Sequence, residues 1–98
     1  MSSKGRYANV VLIRCEKGSP ENYISSESAQ DHWKQTLAAK GCFSSDLRKQ
    51  SENECIWYEE FDSKESCDAC MGSDHANNHI KWCSENDYHI TVLQSFIN

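Results

Sequence analysis

The run from Cys55 to Trp82 constrains the fold more than any other part of the chain. It opens with a β-prone segment, Cys55 to Phe61, and passes an Asp62-Ser63 capping signal. Beyond that signal, related residues recur three and four apart. That order predicts a strand feeding a helix. Alternation along the strand puts Cys55, Trp57, Glu59 and Phe61 on one face and Ile56, Tyr58 and Glu60 on the other. Both faces carry aromatic rings, so both call for cover. The run also holds Trp57, Trp82, His75, His79 and three of the six cysteines, which makes it the first place to look for chemistry.

The other elements fall into place around it. Tyr7 to Cys15 is a nearly continuous apolar, β-branched run, which predicts a central strand covered on both faces. Glu16-Lys17-Gly18-Ser19-Pro20 breaks it, with Ser19 placed to cap a helix that has Pro20 at its first position. The helical period is clearest from Ser28 to Lys40, with Ala29, Trp33 and Leu37 as its apolar stripe and Gly41 as a left-handed stop. Cys42 to Arg48 reads as an edge strand, followed by a polar turn over Lys49 to Glu54. Ser63 to about Ser84 predicts a second helical segment, broken at Gly72-Ser73-Asp74 and recapped at Ser73 or Asp74. Tyr88 to Phe96 alternates as a fourth strand.

Strand, helix, strand, strand, helix, strand is the split β-α-β order of an α+β, ferredoxin-like domain with a four-stranded antiparallel sheet. At 98 residues the chain makes one such domain, spanning 1–98. Two helices on one sheet face leave the other face, also apolar, without cover, which predicts a homodimer. The net charge of -5 and the scattered Lys and Arg exclude nucleic acid as a partner, because that binding rests on clustered cations. No apolar run approaches the roughly 18 residues a membrane span needs, so no membrane role is expected. The polar start, Met1 to Arg6, reads as unexported and places the chain in the cytoplasm. There the cysteines at 15, 42, 55, 67, 70 and 83 are expected as thiols rather than as a disulfide framework.

At this level of organisation the chain resembles the antibiotic-biosynthesis monooxygenase-like proteins, whose fold is a dimeric α+β barrel. The local likeness begins at Lys40-Gly41-Cys42, after the first helix. Glu59-Glu60-Phe61-Asp62-Ser63-Lys64-Glu65-Ser66 is similar to the family's Glu-x-Trp-x-Ser-x-Glu-Ala, with Phe61 in place of Trp. Ala69-Cys70-Met71-Gly72-Ser73-Asp74-His75 is similar to its Ala-His-x-x-Ser-x-His, with Cys70 in place of the first His. The resemblance implies two subunits packed sheet on sheet, with a pocket in each between sheet and helices. It further implies a cofactor-independent monooxygenase or a related small-molecule enzyme, acting on a small aromatic or apolar substrate whose own carbanion reacts with oxygen. Such a site needs an apolar pocket, a base and donors for an oxyanion. By position His75 is the implied base, Trp57 and Tyr58 line the pocket, and Asn9 is the oxyanion donor. No cofactor is implied. The haem-degrading members carry Trp where this chain has Cys70 and His where it has Ile80, so haem cleavage is not expected.

The same residues admit other readings. A non-catalytic small-molecule-binding or stress-related dimer would keep the fold and the pocket without turnover. Cys67-x-x-Cys70 with His75 and His79 has the spacing of four zinc ligands, or of a reactive thiol pair. Helix geometry opposes zinc. At about 100° per residue the two cysteines share one face while His75, His79 and Cys83 gather on another, so no metal site is expected unless the break at Gly72 brings them together. His75 and His79, four apart on one helical face, either line a pocket together or stand as solvated helix residues beside Asn77 and Asn78. His32 and His89 carry no signal of their own. Glu59 and Glu60 point to opposite faces and cannot act as a dyad.

Overall fold

The computed structural model describes residues 6–97; the start before Arg6, on which the unexported reading rests, lies outside them. Four strands, β1 (Tyr7–Cys15), β2 (Cys42–Ser51), β3 (Glu54–Phe61) and β4 (Tyr88–Phe96), form one antiparallel sheet in the order β2-β3-β1-β4. Between β1 and β2 run α1 (Pro20–Ser25) and α2 (Glu27–Leu37), and between β3 and β4 run α3 (Lys64–Met71) and α4 (Asp74–Glu85). This is the ferredoxin-like α+β arrangement that the order of elements predicted. No helix among the described residues is long and apolar enough to cross a membrane.

The helices cover one sheet face, and period-two alternation decides which residues they bury. Along β1 that face carries Tyr7, Asn9, Val11, Ile13 and Cys15, all buried, and along β3 it carries Cys55, Trp57, Glu59 and Phe61, also buried. Side chains on the other face stay partly or largely open: Val10, Leu12, Ile56, Tyr58 and Leu93. The edge strand β2 is more polar, and it runs three residues further than its sequence suggested, to a two-residue turn at Glu52-Asn53.

Each helical segment is two helices hinged at a serine. Ser19 caps α1 over Pro20, as predicted, by accepting from the Asn22 N–H. The polar Ser25 to Ser28 stretch hides a second boundary. There the Ser26 N–H donates to the Tyr23 carbonyl at 3.1 Å, its hydroxyl donates to the same carbonyl at 2.6 Å, and its Oγ accepts from the Ala29 N–H at 3.1 Å. One residue thus ends α1 and starts α2. Ser73 repeats the device between α3 and α4, bonding the Cys70 carbonyl and accepting from the Ala76 N–H.

Two expectations need correction. Leu37 is 52% exposed and leaves the apolar stripe, because the buried face of α2 is set by Ala29, His32, Trp33 and Thr36, spaced zero, three, four and seven. Gly41 does take a left-handed φ of 83°, but α2 has already ended at Leu37, and the glycine serves the turn into β2 instead. A Cβ there would collide with the Ser66 side chain and sit 2.6 Å from the Asp62 carboxylate.

Candidate functional site

The sheet register assembles a polar row inside an apolar face. Ser45, Glu59, Asn9 and Gln94 are cross-strand partners running through β2, β3, β1 and β4. Their side chains are chained by hydrogen bonds: Ser45 Oγ and Asn9 Nδ2 each donate to Glu59 at 2.9 Å, and Gln94 Nε2 donates to Asn9 Oδ1 at 2.9 Å. On one side lies a cluster of Tyr7, Phe61, Cys67 and Cys70, and on the other the main core around Trp57, Tyr23 and Ile13. Glu59 is 2% exposed, and burial pushes its carboxyl up from the usual range, against the two donors that favour the anion.

Next to this row the sheet and helices leave a cavity of about 30 Å³. Val11, Trp57 and Ile90 form its floor, and Met71, Ala76 and Ile80 its roof, while Glu59, His32 and His79 supply the polar groups. Ile80 and Val92, each 43% exposed, mark its mouth between α4 and β4. The volume suits one or two waters. A polar cleft of about 210 Å³ lies on the other side of the histidines, lined by Asp31 of α2 and by Asp74 and His75 of α4, and His32 and His79 border it as well.

A chain of hydrogen bonds runs through this wall. Trp57 Nε1 can only donate, and it donates to the Tyr23 hydroxyl at 2.9 Å. The Tyr23 proton then points to Nε2 of His79, 2.6 Å away. In that arrangement His79 carries its own proton on Nδ1, which donates to Ser28 Oγ at 2.8 Å. Burial raises the Tyr23 phenol and lowers His79 to about 4, so both stay neutral at neutral pH. His32 stacks on His79 with ring centroids 4.7 Å apart and meets Trp57 edge-on. Its Nδ1 lies 2.9 Å from Nδ1 of His75. Burial, then the neighbouring His79 and His75, lower His32 to about 3.

The residues singled out from the sequence are distributed as follows. Trp57 and His79 line the cavity. Asn9 lies beneath it as the centre of the polar row, with its donor already committed to Glu59. His75 borders the outer cleft and reaches the cavity wall only through His32. Tyr58 is a correction: its side chain stands on the opposite sheet face, bonded to Glu60, where alternation sends it. Glu59, Ser45 and Gln94 were missed because a cross-strand row depends on register, whereas His32 was signalled by its place between Ala29 and Thr36 on the buried face of α2. Cys67 and Cys70 turn toward Tyr7 and Phe61, away from His75 and His79, and among the described residues no group of three or more ligating side chains is placed to hold a metal ion. All six cysteines are free thiols, and burial pushes Cys67 up to about 12 and Cys70 up as well, the reverse of what a reactive thiol pair needs.

No family model matches the chain, and no curated protein matches it in sequence. Solved structures do match in shape. A candidate antibiotic biosynthesis monooxygenase from Nitrosomonas europaea superposes with a TM-score of 0.82 at 11% identity, over 96% of this chain and 91% of that one. SnoaB, a cofactor-independent oxygenase from Streptomyces nogalater, gives 0.80 at 8% identity, over 96% and 94%. The chain shares the fold of the antibiotic biosynthesis monooxygenases. A conserved protein of unknown function from Bacteroides thetaiotaomicron shares that monooxygenase fold too, with a TM-score of 0.81 at 17% identity over 96% and 99%. At these identities the likeness is one of fold.

Proposed function

We propose that this chain is a cytoplasmic, homodimeric, cofactor-independent oxygenase that deprotonates a small aromatic or apolar acid, such as a hydroquinone, and lets the resulting anion react with oxygen. The observation that carries this reading is the cavity itself, an apolar chamber whose wall holds the neutral imidazoles of His32 and His79 and one buried carboxyl, with His75 behind His32 on the side of the outer cleft. Neutral imidazoles are the form that accepts a proton. His75, the base assigned by resemblance and the least depressed of the three, supplies the basicity and is reached from the cavity through His32. The Asn9 and Gln94 amides stand beneath with their donors committed to Glu59 and to Asn9, and so hold that carboxyl in place at the cavity wall. At about 30 Å³ the chamber has no room for a ring, so the ring lies at the mouth over Ile80 and Val92 and its acidic group enters.

Oxygen consumption with a panel of naphthohydroquinones, above the protein-free rate, tests the proposal. Wild-type protein is expected to turn over at least one of them, and His75→Ala to lose about tenfold or more while remaining folded. Undiminished turnover in His75→Ala removes that residue from the mechanism. The small chamber also favours a second reading, a binding module without turnover, which predicts a bound hydroquinone and no oxygen uptake.

A further inference from the structure

We propose that His32 is the residue that meets the acidic proton of a substrate at the cavity, and that His75 is the outlet through which that proton leaves to the outer cleft. This rests on the reading of the cavity as a deprotonating site and divides the labour within it. Of the two histidines that border both compartments, His79 has Nε2 held by Tyr23 and Nδ1 by Ser28, so it cannot pass a proton without breaking the chain from Trp57. His32 has the opposite arrangement. Its Nδ1 is bonded to His75, and among the described residues its Nε2 has no hydrogen-bond partner. The ring is held by stacking on His79 and by the edge contact with Trp57, so that its two nitrogens keep their separate directions.

The step is a proton transfer with no oxidant. The substrate's C–H or O–H bond breaks, its electron pair stays on the substrate, and Nε2 of His32 takes the proton. The Nδ1–H bond of His32 breaks in turn toward Nδ1 of His75, which becomes an imidazolium and sheds its Nε2 proton to water in the cleft. The groups facing His32 are His75 and His79 from α4, Asp31 beside it on α2, and Trp57 and Glu59 from β3. The electrostatics slope outward. Burial holds His32 down to about 3, whereas burial lowers His75 less and the Asp31 charge opposes it. A proton that reaches His32 therefore does not rest there.

Two measurements test this on the intact chain. Long-range proton–nitrogen NMR of histidine-labelled protein at pH 7 is expected to find His32 protonated on Nδ1 with Nε2 bare, and His75 protonated on Nε2; the reverse tautomers overturn the relay. The second uses 1-naphthol, whose ionisation on binding is read by the red shift of its absorption in stopped flow. His32→Gln is expected to lose ionisation by roughly a hundredfold. His75→Ala is expected to lose about tenfold and to recover when imidazole is added to the buffer, because the outlet opens on solvent and the cavity does not. A merely structural His75 would show no such rescue, and that result overturns its role. Ionisation that survives in His32→Gln overturns the relay alone, whereas wild-type protein that binds naphthol without ionising it overturns the functional reading and the relay with it.

Discussion

At the scale of the residue, the decisive fact is that His79 has no nitrogen to spare. Its ring walls the cavity, but both nitrogens are committed, so it positions its neighbours and must stay neutral to do so. A histidine whose folded pKa is depressed from 6.5 to about 4 binds fewer protons folded than unfolded over that window, so stability falls as pH drops through it. Urea unfolding should therefore lose about 3 kcal/mol between pH 7 and pH 4 from His79 alone. His79→Gln should shrink that acid slope even as it lowers stability at pH 7. An unchanged slope would show that the ring is already charged in the fold. Glu59 works in the opposite direction, since its raised pKa favours the protonated carboxyl as pH falls. Trp57, His75 and His79 could be picked out of the sequence because each is a rare residue type on a periodic element, and Asn9 through the family resemblance. Glu59 could not, since its partners Asn9 and Ser45 lie 50 and 14 residues away and meet it only through strand register.

At the scale of the element, alternation and helical period made β1, β3 and β4 legible almost to the residue, because each is an unbroken run with one pattern. The hinge at Ser73 was legible too, since Gly72 precedes it and Asp74 follows in the first helical turn. The matching hinge at Ser26 was not. Four polar residues around it carry neither glycine nor apolar period, and only the geometry of the Tyr23 carbonyl reveals the cap. Gly41 shows how one position can be read correctly for its conformation and wrongly for its task. It sits where β2 leaves the helices, and its carbonyl accepts from the Asp62 N–H at 2.7 Å, tying that turn to the end of β3. Gly41→Ala combines a left-handed non-glycine residue with a collision against Ser66, and should cost about 2 kcal/mol or more in urea unfolding. A cost below about 0.5 kcal/mol would mean that this turn adopts another conformation.

At the scale of the molecule, the helices account for one sheet face and leave Val10, Leu12, Ile56, Tyr58 and Leu93 on the other. Leu93 is 56% exposed and Tyr58 41%, values typical of a face that waits for a partner, and a second copy of the chain is the partner proposed. Sedimentation should find a dimer, and Leu93→Glu should give a folded monomer; a monomeric wild-type chain contradicts the proposed assembly. The sequence made this face visible through the aromatic and aliphatic residues on both sides of β1 and β3, but it could not size the chamber on the helix side, which depends on how α2 and α4 meet over the sheet. That chamber is where function is placed. It is tested most directly by titrating naphthohydroquinone into nitrogen- and methyl-labelled protein and following the Trp57 indole together with the Ile80 and Val92 methyls. Binding at the proposed site shifts these signals together while the Leu12 and Leu93 methyls on the far face stay still, whereas shifts confined to the far face, or none at saturating ligand, contradict it.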